Sequence, residues 1–266
     1  MRAWWKDLDR ILRGEATRLP ALRRGTIELP VGGLTFVLIV LAMFYGTCMG
    51  TFAIFRGSDS AWMQWLASTI KVPALFVLTL LVTFPSLYVF NALVGSRLSI
   101  ASVLRLLVAA LAVTVTVLAS LGSIVAFFSA STTSYPFILL LNVAVFAVAG
   151  VLGMSFLLQT LHRLSLVVPE TLPAFEPEPV GNVTKSGGDL EVLPPGALEP
   201  IDERMLSIHV KTVFRCWIVL FGLVGAQMGW VLRPFVGRPD LAFAWFRPRE
   251  ANVFHGIFAA LANLFS

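Results

Sequence analysis

The sequence predicts an all-α fold: a helical integral membrane protein of about five transmembrane helices, with an N-terminal cytoplasmic amphipathic helix and a C-terminal outer interfacial helix. Three observations predict it. Hydrophobic residues make up 57% of the chain and charged residues only 13%, with a mean hydropathy of +0.84. Soluble domains carry about twice that charged fraction. The apolar residues are gathered into blocks of about 20 or more, the length a helix needs to cross a bilayer. Those blocks lack the strict alternation of barrel strands, so helices must satisfy the backbone in lipid.

Residues 1–28 form a tail rather than a span. In "AWWKDLDRILRG", Trp4, Trp5, Leu8, Ile11 and Leu12 recur at helical spacing, with Lys6, Asp7, Asp9 and Arg10 opposite. This is an amphipathic helix whose tryptophans suit a membrane interface. Gly14 and Pro20 end it. The stretch contains no apolar signal-peptide core, so the first span is expected to act as an uncleaved anchor.

Residues 29–163 hold four spans, read as Leu29–Phe55, Val72–Leu93, Leu106–Phe128 and Pro136–Leu161. Gly46 and Gly50 give the first a G-x-x-x-G spacing that permits close helix approach. The second opens on "STIKVP". Lys71 is expected to cap its outer end and Pro73 to occupy its first turn, where a missing N–H costs little. Pro85 lies inside this span and removes the bond to the carbonyl of Leu81. A kink is expected there, with the hydroxyls of Thr83 and Ser86 available to the freed carbonyl.

Residues 164–210 are rich in proline, glycine and acidic side chains, a composition that cannot build a core. They read as a cytoplasmic linker. Residues 211–233 carry a fifth span, Val213–Leu232, with a second G-x-x-x-G pair at Gly225 and Gly229. Arg233-Pro234 ends it, and residues 234–266 supply an aromatic loop around Trp245 followed by a short apolar helix.

Charge sets the expected orientation. Seven basic residues precede the first span, while "SASTTSY" between the third and fourth has none. This bias places the N-terminus in the cytoplasm and the C-terminus in the periplasm of a bacterial inner membrane. The net charge of +5 comes from residues flanking the spans, a topological pattern that argues against nucleic-acid binding.

Chemistry-bearing motifs are scarce. Two cysteines, both in apolar blocks, make neither a disulfide framework nor a metal site. The spans contain no aspartate or glutamate, and no P-loop, G-x-S-x-G, H-E-x-x-H or C-x-x-C stands in the chain. No catalytic activity, cofactor or metal is expected. The polar or hinge candidates within the spans are Thr79, Thr83, Pro85, Ser86, Asn91, Asn142 and Gln227; the interface anchors are Trp4, Trp5, Lys71, Arg233 and Trp245.

Four stretches, Leu8–Arg18, Lys71–Ser99, Phe127–Gly153 and Gly225–Phe243, together resemble a family of planctomycete-type bacterial multispanning membrane proteins. The resemblance covers most of the chain except the acidic linker. It implies a membrane protein and carries over no functional residue. Some members bear the label of actin-binding WH2-domain proteins, but the LKKT-like element of that motif is missing from this sequence.

Two functions fit these features. One is a non-enzymatic inner-membrane scaffold or accessory subunit in the lipid bilayer, engaging a protein partner or a second copy through its tail or linker. The other is a transporter or channel with an uncharged polar path near the kinked second span.

Overall fold

The computed structural model describes residues 2–14, 31–57, 60–93, 100–167, 203–237, 242–247 and 253–265. They form seven helices and no strand among the described residues: α1 (Arg2–Leu12), α2 (Val31–Phe55), α3 (Ala61–Leu93), α4 (Ile100–Ser131), α5 (Tyr135–Val167), α6 (Glu203–Val231) and α7 (Val253–Phe265). Among the described residues, four helices, α2 to α5, are long and apolar enough to cross a membrane. The apolar part of α6, Cys216–Val231, is shorter than a full crossing of about 20 residues.

The core lies where α2, α3, α4 and α5 meet. Tyr45, Phe52, Val72, Phe76, Val115, Leu118, Ile138 and Ala149 are buried there. The first glycine pair does what its spacing predicts. A Cβ on Gly46 would lie 2.7 Å from the Ser68 carbonyl oxygen and 2.8 Å from Thr69 Cα, and one on Gly50 would lie 3.0 Å from Trp65 Cα. These positions let α2 and α3 touch backbone to backbone. The second pair is looser: Cβ atoms at Gly225 and Gly229 would make ordinary contact with Thr79 and Leu75.

Those contacts also set the course of α6. Trp217 meets Ser86, Gly225 faces Thr79, and Gly229 faces Leu75. Helix α6 therefore runs antiparallel to α3, toward the end of the bundle where the α2–α3 and α4–α5 turns lie. At that end the Arg56 guanidinium donates to the Thr132 carbonyl and ties the two turns together.

Three expectations need correction. The second span does not start at Val72, because α3 begins at Ala61. Pro73 is consequently a buried interior residue of α3 and not part of its first turn. Lys71 does not cap the outer end; it lies ten residues beyond Ala61, about 15 Å along the axis, and is 3% exposed. The polar residues Gln64, Ser68, Thr69 and Lys71 make this stretch read as a loop, yet all four are buried while Trp62, Leu66 and Ile70 face outward. The helix is polar inside and apolar outside, the arrangement lipid demands.

The linker is also shorter than its composition implies. Helix α5 continues to Val167 and α6 begins at Glu203, so helix covers both ends of residues 164–210. The remainder of that acidic segment lies outside the described residues.

Helix α1 is seated on the bundle. Leu8 and Ile11 are buried against Leu34 and Val37 of α2 and Val108, Ala109 and Ala112 of α4. Trp4 packs edge-on against Phe36 and covers Gly33. Helix α7 docks on α5 and α6, with Gly256 directly against the Trp230 ring.

Candidate functional site

Helix α6 stops at Val231, and the chain continues as non-helical backbone over 233–237. It stops well inside the bundle, since Gly229 lies beside Leu75, fourteen residues into α3. Proline at 234 cannot continue the hydrogen-bond ladder. Non-helical backbone at membrane depth must have its polar groups satisfied by protein. Val236 meets the packing half of this requirement as a buried member of the main core.

The polar half is met by one face of α3. Gln64 Nε2 donates to the carbonyls of Phe235, at 3.0 Å, and Pro234, at 3.3 Å. The Ser68 hydroxyl donates to the Phe235 carbonyl. Lys71 Nζ donates to the Pro234 carbonyl at 2.9 Å and to the Trp245 carbonyl. Gln64, Ser68 and Lys71 stand at i, i+4 and i+7, so one helical stripe receives the whole segment. Gly237 closes the seat: a Cβ there would lie 2.8 Å from Gln64 Cγ and 3.2 Å from Ala53 Cβ.

The ammonium of Lys71 also lies 5.3 Å from the centroid of Phe246 and 6.0 Å from that of Trp245. Its direct contacts are carbonyl dipoles and aromatic faces, both of which favour a cation, while the like charge of Arg247 lies nearby and opposes it. Among the described residues no carboxylate pairs with it. An ionisable side chain at this depth is costly unless its protons have partners, and here two carbonyls take them. Arg233 lies beside this enclosure with its guanidinium 3.8 Å from the centroid of Trp230.

The other candidates do not converge on a single site. Thr79 and Thr83 are buried, and their hydroxyls donate to the carbonyls of Leu75 and Thr79, each at 2.7 Å within α3. Ser86 donates to the Thr83 carbonyl and accepts from Trp217 Nε1 at 3.1 Å. Neither Thr83 nor Ser86 is bonded to the carbonyl freed by Pro85, contrary to expectation. Pro85 is itself exposed on the bundle surface, next to the exposed Leu81, and α3 runs continuously through it.

Asn142 is buried and paired. It accepts from the Tyr45 hydroxyl at 2.8 Å and donates to the Ile138 carbonyl at 2.8 Å. Gln227 is half-buried on α6. Asn91 lies on α3, with its side chain outside the described residues. Of the anchors, Trp4 is packed on the bundle, Trp5 is exposed, and Trp245 and Arg233 belong to the surroundings of Lys71. Among the described residues no group of His, Cys, Asp and Glu comes together to hold a metal ion.

Sequence reasoning missed Gln64, Ser68, Tyr45 and the acceptor carbonyls. The signal for the first two was present: Gln64-Ser68-Lys71 and Trp62-Leu66-Ile70 follow the same helical period on opposite faces. No family model, curated protein or solved structure matches this chain.

Proposed function

We propose that the protein is a non-enzymatic membrane scaffold or accessory subunit of a bacterial inner-membrane complex. One observation carries the reading: the buried polar side chains of Gln64, Ser68, Lys71 and Asn142 are spent on holding the chain's own backbone and side chains. Gln64, Ser68 and Lys71 hold residues 234, 235 and 245, and Asn142 holds Tyr45. A conduction path needs polar groups that face a passing solute; these face protein. In this reading α6 and the non-helical chain after it together make a fifth crossing beside α3, the N-terminus is cytoplasmic, and the acidic linker between α5 and α6 docks a partner.

A second reading, a transporter or channel, is favoured by one observation. Lys71 is ionisable and buried within an apolar bundle, which in membrane proteins commonly marks a path.

The experiment is affinity purification of the tagged protein from its native membrane in mild detergent, with native mass measurement. The scaffold reading expects a second protein in fixed stoichiometry that is lost when residues 170–205 are deleted. Recovery of the protein alone, with solute flux in liposomes abolished by Lys71→Met, would establish the transport reading instead.

A further inference from the structure

Helix α1 has three distinct faces. Leu8 and Ile11 are fixed against the bundle, at 4% and 1% exposure. Trp5 and Leu12 stand one heptad apart and about a quarter turn round the helix from that seat, and both are exposed. Lys6 and Arg13 project from the side opposite the seat, with Arg10 beside them, and all three are exposed. A helix docked only on protein has no use for an exposed tryptophan and leucine at one flank. A helix in the corner between the bundle and the bilayer does, because that flank meets acyl chains.

The remaining face is basic. Arg10 and Arg13 have side chains 63% and 67% exposed, and their acidic neighbours Asp7 and Asp9 are on the same helix. An exposed pair such as Arg13–Asp9 adds little to stability, so both arginine side chains stay at the surface. The first 24 residues contain seven basic and three acidic side chains, all ahead of the first span. Basic clusters beside a membrane span attract anionic headgroups strongly, and long side chains can reach them.

We propose that α1 is a binding element for anionic phospholipid. Its seat on α2 and α4 presents Trp5 and Leu12 to the acyl region and Lys6, Arg10 and Arg13 to headgroup phosphates. Docking of α1 is then linked to lipid composition, since lipid that binds only the docked helix stabilises it.

The test is hydrogen exchange of residues 2–14 in the full-length protein, in nanodiscs of phosphatidylcholine with and without phosphatidylglycerol. Protection of α1 is expected to be higher with phosphatidylglycerol. It should fall roughly fivefold for each of Lys6→Gln, Arg10→Gln and Arg13→Gln in those discs, and stay unchanged in phosphatidylcholine alone. The three variants leave the bundle seat intact, so their melting in detergent should match the parent. Equal protection in both lipids would overturn the proposal. So would protection restored in phosphatidylcholine by inorganic phosphate alone, which would make the site one for free anions.

Discussion

The ammonium of Lys71 in α3 lies 2.9 Å from the backbone carbonyl of Pro234, a residue 163 positions later in the chain. The bond joins a charge that lipid would not tolerate to a carbonyl that no helix satisfies. Each group makes the other's position possible. The same α3 stripe, through Gln64 and Ser68, holds the next carbonyl, that of Phe235.

Lys71→Ala should destabilise the protein by about 2–3 kcal/mol, the cost of losing a charged donor's bonds to two carbonyls, of which that of Pro234 keeps only the longer bond from Gln64. Lys71→Arg should not rescue it, because a planar fork cannot place protons where a compact ammonium does. Unfolding in mixed micelles measures the loss. Limited proteolysis should cut within residues 238–250 faster in both variants.

Gly46→Ala should cost about 1–3 kcal/mol by overpacking, because the atoms its Cβ would meet are backbone atoms of Ser68 and Thr69. Gly225→Ala should be neutral within about 0.5 kcal/mol, an ordinary surface-like change, since its Cβ would lie 3.6 Å from the Thr79 methyl. The two melting shifts, compared side by side, check whether the α2–α3 seam is tight and the α3–α6 seam loose.

Tyr45→Phe and Asn142→Leu should be coupled. Their shared hydrogen bond is intramembrane and buried, and a double-mutant cycle should return about 0.6 kcal/mol. A coupling of zero would mean that the two side chains do not meet in the folded protein.

Pro85→Ala should leave stability unchanged or raise it by up to about 1 kcal/mol, because the helix regains a bond with no cavity opened. Pro85 is exposed and no buried partner depends on it. Loss of partner recovery or of solute flux without loss of stability would support the hinge role expected of Pro85 from the sequence.

The helical membrane architecture was legible because composition and block length report it directly. The Gly46–Gly50 approach was legible because small residues at i, i+4 have few other uses in a span. The position of Lys71 was not. Hydropathy averages over all faces of a helix, so Gln64, Ser68, Thr69 and Lys71 outweighed Trp62, Leu66 and Ile70 and moved the apparent start of α3 to Val72. The partners of those polar residues are backbone carbonyls of Pro234, Phe235 and Trp245. Carbonyls occur at every position and leave no trace in side-chain patterning. Likewise, Asn142 looked like a candidate pathway residue because its acceptor role toward Tyr45 spans 97 positions.

The most direct test of the central relationship is a disulfide between Gln64→Cys and Gly237→Cys, made in a Cys48→Ala, Cys216→Ala background. A Cβ at 237 would lie 2.8 Å from the Gln64 Cγ position, close to the spacing of a disulfide's Cβ and the opposite sulfur. A second pair, Gly122→Cys with native Cys48, serves as a control in α2 and α4, where the corresponding separation is 3.3 Å. The seat of residues 234–237 on α3 predicts that both pairs cross-link in native membranes under mild oxidation. Cross-linking of the control pair alone would contradict it, and would mean that the chain beyond α6 does not rest on the polar stripe of α3.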